Sequence, residues 1–425
     1  MLSVVSMIKQ HAQMISNRKL RIAVECRIDD PNSGVGSSML WLAHALSGSS
    51  IEDQEYTFIV HEATRNWLEP HIFGPCHLAA IPKPQPSQLK RILRGVAPVR
   101  NLWRRLRVQF ADVPASDGFI ESNGFDLVHF VSPTAYSTTC PAIFQPCDLQ
   151  HLHYPEFFSK NDFVLREKWY RAFCEQAKFV CVQAEWTKRD IITHYNIPDE
   201  KVVVAPWGSV FDAYKDPSDE EIRDAVERYA LPSQFFFYPA KTWAHKNHEV
   251  VLRALHILKR EHGIAPHVFF TGSSTDRRSK LDGLAQNLGI SEQIHFLGFV
   301  ASTQLQAIFK TATAMLFPSK FEGFGLPILE AFQARLPVIS SNATTLPEVG
   351  RDGALYFSPD SAEDLSRLMK AVLDSPELRQ DLVDKGTLVL SRYSMDKTAA
   401  SFQSLYRKTA SLALPDHRIR DAIVA

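Results

Sequence analysis

The stretch Phe317-Pro318-Ser319-Lys320-Phe321-Glu322-Gly323-Phe324-Gly325-Leu326-Pro327-Ile328-Leu329-Glu330-Ala331 reads as a strand end, a glycine turn and a helix start. Ala314–Phe317 is a short apolar run of strand type. Gly323 and Gly325 turn the chain. Leu326-Pro327 then opens an apolar, helix-forming run, and proline suits the first helical turn. Strand, turn and helix in this order are the unit of an α/β fold. Glu322 lies in the loop and Glu330 about one turn into the helix. Between them, backbone amides of the loop and first turn have no helical acceptor, which makes an anion site with a hydrogen-bonding carboxylate on either side. Glu330 sits inside the run Leu326–Phe332, where a charge is costly unless it has a partner.

The same alternation extends in both directions. Strand-like runs occur at Arg21–Glu25, Thr57–Val60, Leu127–Phe130, Ala142–Gln145, Phe179–Gln183 and Val202–Ala205, with helices fitting Ser37–Leu46, Leu165–Gln176 and Trp186–Tyr195. A second series begins at Phe235–Pro239 and runs through His267–Thr271, Ile294–Leu297, Ala314–Phe317, Pro337–Ser340 and Leu355–Phe357. The break falls in Pro206–Gln234, which carries Gly208, Pro217, an acidic helix and Pro232. The expected fold class is therefore α/β: two doubly wound, Rossmann-like parallel-sheet domains whose strand carboxyl ends face one cleft. The expected division is a leader at 1–18, a first domain at 19–207, a second at 208–394, and a crossover helix with tail at 395–425 that packs back on the first domain.

Bulk properties exclude several classes. The chain has 47 Lys+Arg against 47 Asp+Glu, so no global charge points to nucleic acid. No apolar run reaches the ~18–20 residues that span a bilayer. Lys9 and His11 interrupt the apolar part of the N-terminus, against a signal peptide. The six cysteines are unclustered and none forms CxxC, the usage of a reduced, cytoplasmic protein. No Asp-x-Asp occurs, so the commonest divalent-metal motif for a nucleotide diphosphate is missing.

Four other segments carry candidate chemistry. Tyr238-Pro-Ala-Lys241-Thr-Trp-Ala-His-Lys246-Asn247 follows the first strand of the second series. Asn247 is suited to cap the next helix, which places Lys241 and Lys246 in the loop at the cleft, where two cations would neutralise a departing diphosphate. Ile28–Ser37 contains Gly34 and Gly36 and reads either as a backbone approach to a phosphate or acceptor or as a plain turn. Cys147-Asp148-Leu149-Gln150-His151-Leu152-His153-Tyr154-Pro155-Glu156 occupies a strand-end loop, a usual place for function. Lys90–Phe110 holds seven basic residues, no acid, and Leu93, Trp103 and Leu106. It reads as a surface for anionic lipid or a lipid-pyrophosphate acceptor, or else as a solvated loop.

Together these segments resemble retaining glycosyltransferases of family 4, with the GT-B fold, the group that includes bacterial mannosyltransferases of surface-polysaccharide assembly. FPSKFEGFGLPILEAF is similar to the family's Glu-x7-Glu signature, and YPAKTWAHKNH to its phosphate loop, with Lys241 at the usual Arg and Lys246 at the usual Lys. The runs LPVISSNATTLPEVGRDGALYFSP and VQAEWTKRDI share the family's cast, and the likeness spans roughly residues 20–410.

The resemblance implies roles. Glu322 would meet the donor sugar, Glu330 the ribose, and Lys241 and Lys246 the diphosphate. Gly323, Phe324, Gly325 and Leu326 would line the phosphate, Gly298, Phe299 and Val300 the base, and Gly34 and Gly36 the phosphate and acceptor from the first domain. The family's His-Asp-Leu is Cys147-Asp148-Leu149 here. Asp148 and His151 are accordingly counted with Glu322 and the lysines as catalytic candidates, and Cys147 and His153 as acceptor-side candidates. The family's small Gly before the Pro-Val strand is Arg335-Leu336, and Met395 stands where the final helix usually has Trp.

The implied activity is a metal-independent hexosyl transfer without a cofactor. Its donor is a nucleotide sugar, GDP-mannose by preference with UDP- or dTDP-sugars as alternatives. Its acceptor is a saccharide or lipid-linked saccharide. The implied setting is cytoplasmic, with residues 90–110 as a peripheral contact on the inner membrane face. A sugar-nucleotide epimerase or phosphorylase of the same fold, and an inactive sugar-nucleotide-binding protein, are the competing readings.

Overall fold

The computed structural model describes residues 18–31, 33–83 and 112–413. The basic segment 90–110 and almost all of the leader lie outside these residues. Two fully parallel sheets carry the fold. The first contains β1 (Leu20–Glu25), β2 (Gln54–His61), β3 (Cys76–Ile81), β4 (Leu127–Phe130), β5 (Ala142–Phe144), β6 (Phe179–Val182) and β7 (Val202–Val204) in the order β3-β2-β1-β4-β5-β6-β7. The second contains β8 (Phe235–Pro239), β9 (His267–Thr271), β10 (Ile294–Phe296), β11 (Ala314–Phe317), β12 (Val338–Ser341) and β13 (Ala354–Phe357) in the order β10-β9-β8-β11-β12-β13. This is the pair of doubly wound, Rossmann-like sheets of the GT-B fold.

In each sheet the winding reverses once, between β1 and β4 and between β8 and β11. Loops that leave adjacent strands at such a reversal diverge and open a crevice at their carboxyl ends. The loops after β1, β8 and β11 all start at these points, and they hold Gly34, Lys241, Lys246 and Glu322. Topology therefore brings together what the sequence scatters over almost three hundred residues.

The strands are apolar on both faces because helices cover both faces. Phe235, Phe236, Phe237 and Tyr238 in β8 are all 0% exposed. β3 escaped the sequence reading for the converse reason. It lies at a sheet edge, and most of Cys76–Ile81 is only half-buried, so its apolar signal is weak.

Local rules explain the helix that follows β1. Ser33 caps Gly34–Ser47 by accepting from the Gly36 amide at 3.1 Å. A side chain at Gly36 would put Cβ 2.0 Å from the Pro31 carbonyl oxygen, so only glycine closes this turn. The cap expected at Asn247 does not form. Asn247 has φ 56°, and its side-chain amide donates instead to the carbonyls of Pro318 at 3.1 Å and Pro359 at 2.7 Å. It ties the β8 loop to the β11 loop, which matters more to the site than a cap.

The helix Met395–Ala413 lies on the first sheet. Tyr406 Oη bonds His129 Nδ1 at 2.9 Å, Gln54 donates to the Gln403 carbonyl at 3.1 Å, and Thr398 donates to the Pro206 carbonyl at 2.8 Å. Among the described residues no helix is long and apolar enough to cross a membrane.

Candidate active site

The β11 loop carries Glu322, and its backbone is held by the loop after β12. Thr344 Oγ1 accepts from the Glu322 amide at 3.1 Å and donates back to the Glu322 carbonyl at 2.9 Å. Thr345 Oγ1 bonds the carbonyls of Glu322 at 3.1 Å and Phe324 at 2.9 Å. Lys246 Nζ lies 2.5 Å from Glu322 Oε1, and Tyr238 Oη donates to the Lys246 carbonyl at 2.9 Å. Burial pushes the Glu322 carboxyl up, but the charge and hydrogen bond of the Lys246 ammonium outweigh it and hold the carboxyl below its usual range. His245 itself is driven down to about 4, first by burial and then by Lys246, so it is neutral beside the pair. The result is an ionised carboxylate and an ammonium in fixed contact.

Gly325 ends the loop with φ 110° and opens the helix Leu326–Gln333 without a side-chain cap. A Cβ there would come 2.8 Å from Leu346 Cδ2, and the left-handed backbone already selects glycine. The amides of this turn have no side-chain cap, the arrangement expected of an anion site. Within the helix, Glu330 is 8% exposed, and burial raises its carboxyl to about 7. A carboxyl this poorly solvated is costly to ionise unless a partner restores its lost hydration.

Lys241 reaches across the cleft. Its Nζ pairs with Asp30 Oδ2 of the β1 loop at 2.6 Å, while the neighbouring Asp29 turns away to Lys83 at 2.5 Å. Behind Lys241, Gly272 has φ 102°, and a Cβ there would meet the Lys241 amide nitrogen at 2.8 Å. Gly272 donates to the Gly298 carbonyl at 2.7 Å. This places Gly298 and Val300 next to the Lys241 loop, with the Phe299 ring 62% exposed.

The family description "Glycosyltransferase Family 4" matches residues 34–209, and "Glycosyl transferases group 1" matches residues 219–389. The two descriptions together take in β2 to β13 and the loops after β8 and β11, and they begin after β1 and its Asp29-Asp30 loop residues. The chain belongs to the family 4 glycosyltransferases. It is 26% identical over 254 residues to the O-antigen chain mannosyltransferase B of Escherichia coli, covering 60% of this chain and 66% of that protein. It is 29% identical over 230 residues to the serotype-specific mannosyltransferase WbdA of the same organism, covering 53% of this chain and 28% of the relative. The match thus spans less than two thirds of these relatives' length. Among solved structures, Anabaena HepE in complex with UDP and glucose superposes with a TM-score of 0.65 at 15% identity, over 92% of this chain and all of HepE, a likeness of fold.

Within this glycosyltransferase the first-domain candidates separate. Asp148 faces the site. A Cβ on Gly323 would lie 3.2 Å from Asp148 Cβ, and burial raises the Asp148 carboxyl while the Gln150 amide, at 3.0 Å, opposes the rise. Cys147 meets the second domain through its backbone, with φ 69° and its carbonyl against Gly323. Its thiol is pushed up, chiefly by burial, and is not a nucleophile at neutral pH. His151 is a core histidine. Its ring is 0% exposed, bonds Glu167 at 3.0 Å, packs against Phe163 and Tyr170, and is driven by burial to about 4. The sequence counts His151 as a catalytic candidate, and the structure encloses its ring in the first-domain core instead of opening it to the cleft. His153 lies at the domain interface, bonded to Asp190 at 2.8 Å with its ring 5.0 Å from Phe321.

Several participants escaped the sequence reading. Asp30 sits in a loop that was singled out, but nothing in Asp29-Asp30 tells which acid faces the cleft. Thr344 and Thr345 are 22 and 23 residues from Glu322, and only the β11–β12 pairing makes them its neighbours. Glu348 was also missed. Its carboxylate accepts from the amides of Glu185 at 2.7 Å and Trp186 at 3.0 Å, capping a first-domain helix from the second domain.

Proposed function

We propose that this glycosyltransferase moves a hexose, mannose from GDP-mannose, to a saccharide or lipid-linked saccharide of a surface polysaccharide, with retention and without a metal. The observation that carries the reading is the Lys246–Glu322 pair at 2.5 Å, set between the uncapped turn at Gly325 and the loop of Asp148. Lys246 and Lys241 would hold the diphosphate. Each is occupied here by a carboxylate, Glu322 or Asp30, and a donor phosphate would compete for it. Glu322, freed from Lys246, would bind sugar hydroxyls. Glu330 would bind the ribose, and the exposed Phe299 would stack on the base.

The chemistry follows from the charges. As the bond from sugar to diphosphate breaks, positive charge grows on the ring, as in other glycosyl transfers. Negative charge grows on the leaving phosphate beside two ammonium groups and helix-start amides, where fixed dipoles act most strongly. On this reading no carboxylate of this set acts as a covalent nucleophile. The departing phosphate would therefore take the acceptor's proton, which keeps attack and departure on one face. The mannose and GDP assignments draw support from the mannosyltransferase relatives, and UDP- or dTDP-sugars remain the alternatives.

Two measurements test the proposal. Purified protein is incubated with a panel of radiolabelled nucleotide sugars and a lipid extract, and label from GDP-mannose is expected to move into the lipid fraction. Transfer from no donor would overturn the reading. In thermal-shift titrations GDP is expected to raise the melting temperature more than UDP or dTDP, and stabilisation by UDP alone refutes the GDP assignment. Attachment to a membrane through residues 90–110 is part of the proposal. It is checked by sedimentation with anionic vesicles, where binding should weaken with salt.

A further inference from the structure

We propose that His153, Asp190 and His194 form a binding site for one zinc-type divalent transition-metal ion at the domain interface, apart from the donor cleft. His153 closes the short helix Gln150–His153, and Asp190 and His194 lie one turn apart on the helix Glu185–Tyr195. His153 Nε2 is 2.8 Å and His194 Nδ1 3.1 Å from Asp190 Oδ1. One ligand atom from each of the three residues falls within 4.8 Å of the others.

An independent observation points to a missing ligand. Asp190 is 7% exposed, and its Oδ2 is buried with no hydrogen-bond partner among the described residues. Both imidazoles compete for Oδ1 alone. His194 Nδ1 also bonds the Asp190 carbonyl at 2.9 Å, and no hydrogen bond from a described residue reaches the second carboxylate oxygen. An orphaned carboxylate oxygen is costly in a protein interior, and structures rarely tolerate one without an ion or water.

Two imidazoles and one carboxylate, with a side open to solvent, match the three-ligand zinc pattern. They disfavour magnesium and calcium, which take oxygen ligands. Spacing of i and i+4 on one helical face is the chelating geometry of helical zinc motifs. The side chains of His153 and His194 are 30% and 37% exposed, which gives an ion a route in. The rings are braced: His153 packs 5.7 Å from Trp186 and 5.2 Å from His194. An ion would replace the two imidazole–carboxylate hydrogen bonds and release protons as it binds. It would also fix His153 against Phe321, the residue before Glu322, and so stiffen the contact between the two domains.

The test uses the full chain stripped with a chelator and titrated with Zn²⁺ against a chromogenic zinc indicator. One equivalent is expected to bind tightly. His194→Gln and Asp190→Asn should each weaken that affinity at least about tenfold, the loss that removal of even an outer-sphere partner brings. Co²⁺ in the same site should show the visible absorption of a four-coordinate ion. Absence of a stoichiometric site in the wild-type chain overturns the proposal. So does equal affinity in the His153→Gln/His194→Gln double variant, which would assign binding to other histidines. Should a variant fail to fold, the wild-type melting temperature decides: it should rise with Zn²⁺ and not with Mg²⁺, and no rise overturns the site. None of these readouts depends on sugar transfer.

Discussion

The two walls of the cleft are built on different principles. On the second-domain wall, functional groups are fixed by polar bonds from separate elements. Thr344 and Thr345 hold both backbone groups of Glu322, Tyr238 holds Lys246, and Asn247 ties the β8 loop to the β11 loop. On the first-domain wall, close contact around Gly323 and Phe321 is made largely by shape, beside the polar bonds of Glu348, Thr187 and Asp30 to the other wall. The Cys147 carbonyl lies against Gly323, Phe321 inserts among His153, Tyr154 and Trp186, and the turn at Gly36 closes on Pro31. One wall pre-organises charge, which is what stabilises a transition state. The other sets how closely the domains approach, which on the proposed function would position an acceptor. Substitutions on the two walls should therefore fail in different ways.

The largest effect belongs to the wall of fixed charges. Lys246→Ala removes the ammonium nearest Glu322, and kcat should fall by a hundredfold or more, roughly the cost of one lost oxyanion donor. A fall of less than about threefold in steady-state kinetics would break the assignment. Gly323→Ala probes the opposite wall. The added Cβ would lie 2.4 Å from the Cys147 carbonyl oxygen, so the domains must part while each keeps its own core. A displacement of this size should lower kcat by up to about a hundredfold, with nucleotide affinity nearly unchanged. If kcat holds, the close approach of the walls is not what positions the acceptor.

This division also decides what the sequence could reveal. Strands β8 and β11 and the loops behind them were legible because their signals are local: an all-aromatic buried run, a Gly-x-Gly turn, a proline at a helix start, a carboxylate in an apolar run. Glu322, Lys241 and Lys246 follow from such signals and lie in these loops, and Glu330 lies in the helix that the β11 loop opens. Contacts on the first-domain wall are long-range. Cys147 against Gly323 and Glu348 on the Glu185–Tyr195 helix each join residues more than 150 positions apart, and no local pattern encodes them. His151 misled for a related reason. In a strand-end loop it looked available, whereas Phe163, Tyr170 and Glu167 from the helix Lys160–Gln176 enclose it. β3 was missed because an edge strand needs little apolar periodicity.

A smaller, pH-dependent effect isolates Glu330 on the second-domain wall. Its carboxyl keeps its proton to about 7 in the native chain, against ~4.3 when unfolded. The native state then binds the extra proton, so this group's contribution to stability is full below ~4.3 and is lost as pH rises through about 7. Nucleotide binding should run the other way, because ribose hydroxyls donate to the ionised form. Affinity for the nucleoside diphosphate should tighten up to about tenfold between pH 6 and 8. Glu330→Gln should keep only the part due to the phosphate's own titration. Identical pH profiles in the two proteins would remove Glu330 from the ribose site.

The smallest effect tests an ionic contact that joins the walls across the loops of β1 and β8. Asp30 and Lys241 meet at 2.6 Å, but their side chains are 53% and 25% exposed. An exposed pair of this kind contributes only ~0–1 kcal/mol. That is too little to hold the domains together and enough to tax a ligand that needs the lysine. If Lys241 holds the diphosphate as proposed, the diphosphate must displace Asp30 before Lys241 can serve it. Asp30→Asn should therefore tighten nucleotide diphosphate binding, up to about fivefold by that energy, with little change in melting temperature. The gain should shrink as salt is raised, since salt already weakens the pair it removes. Weaker binding in Asp30→Asn would reverse the reading: Asp30 would then position Lys241 for the phosphate rather than compete for it, and the first-domain wall would carry charge organisation as well as shape.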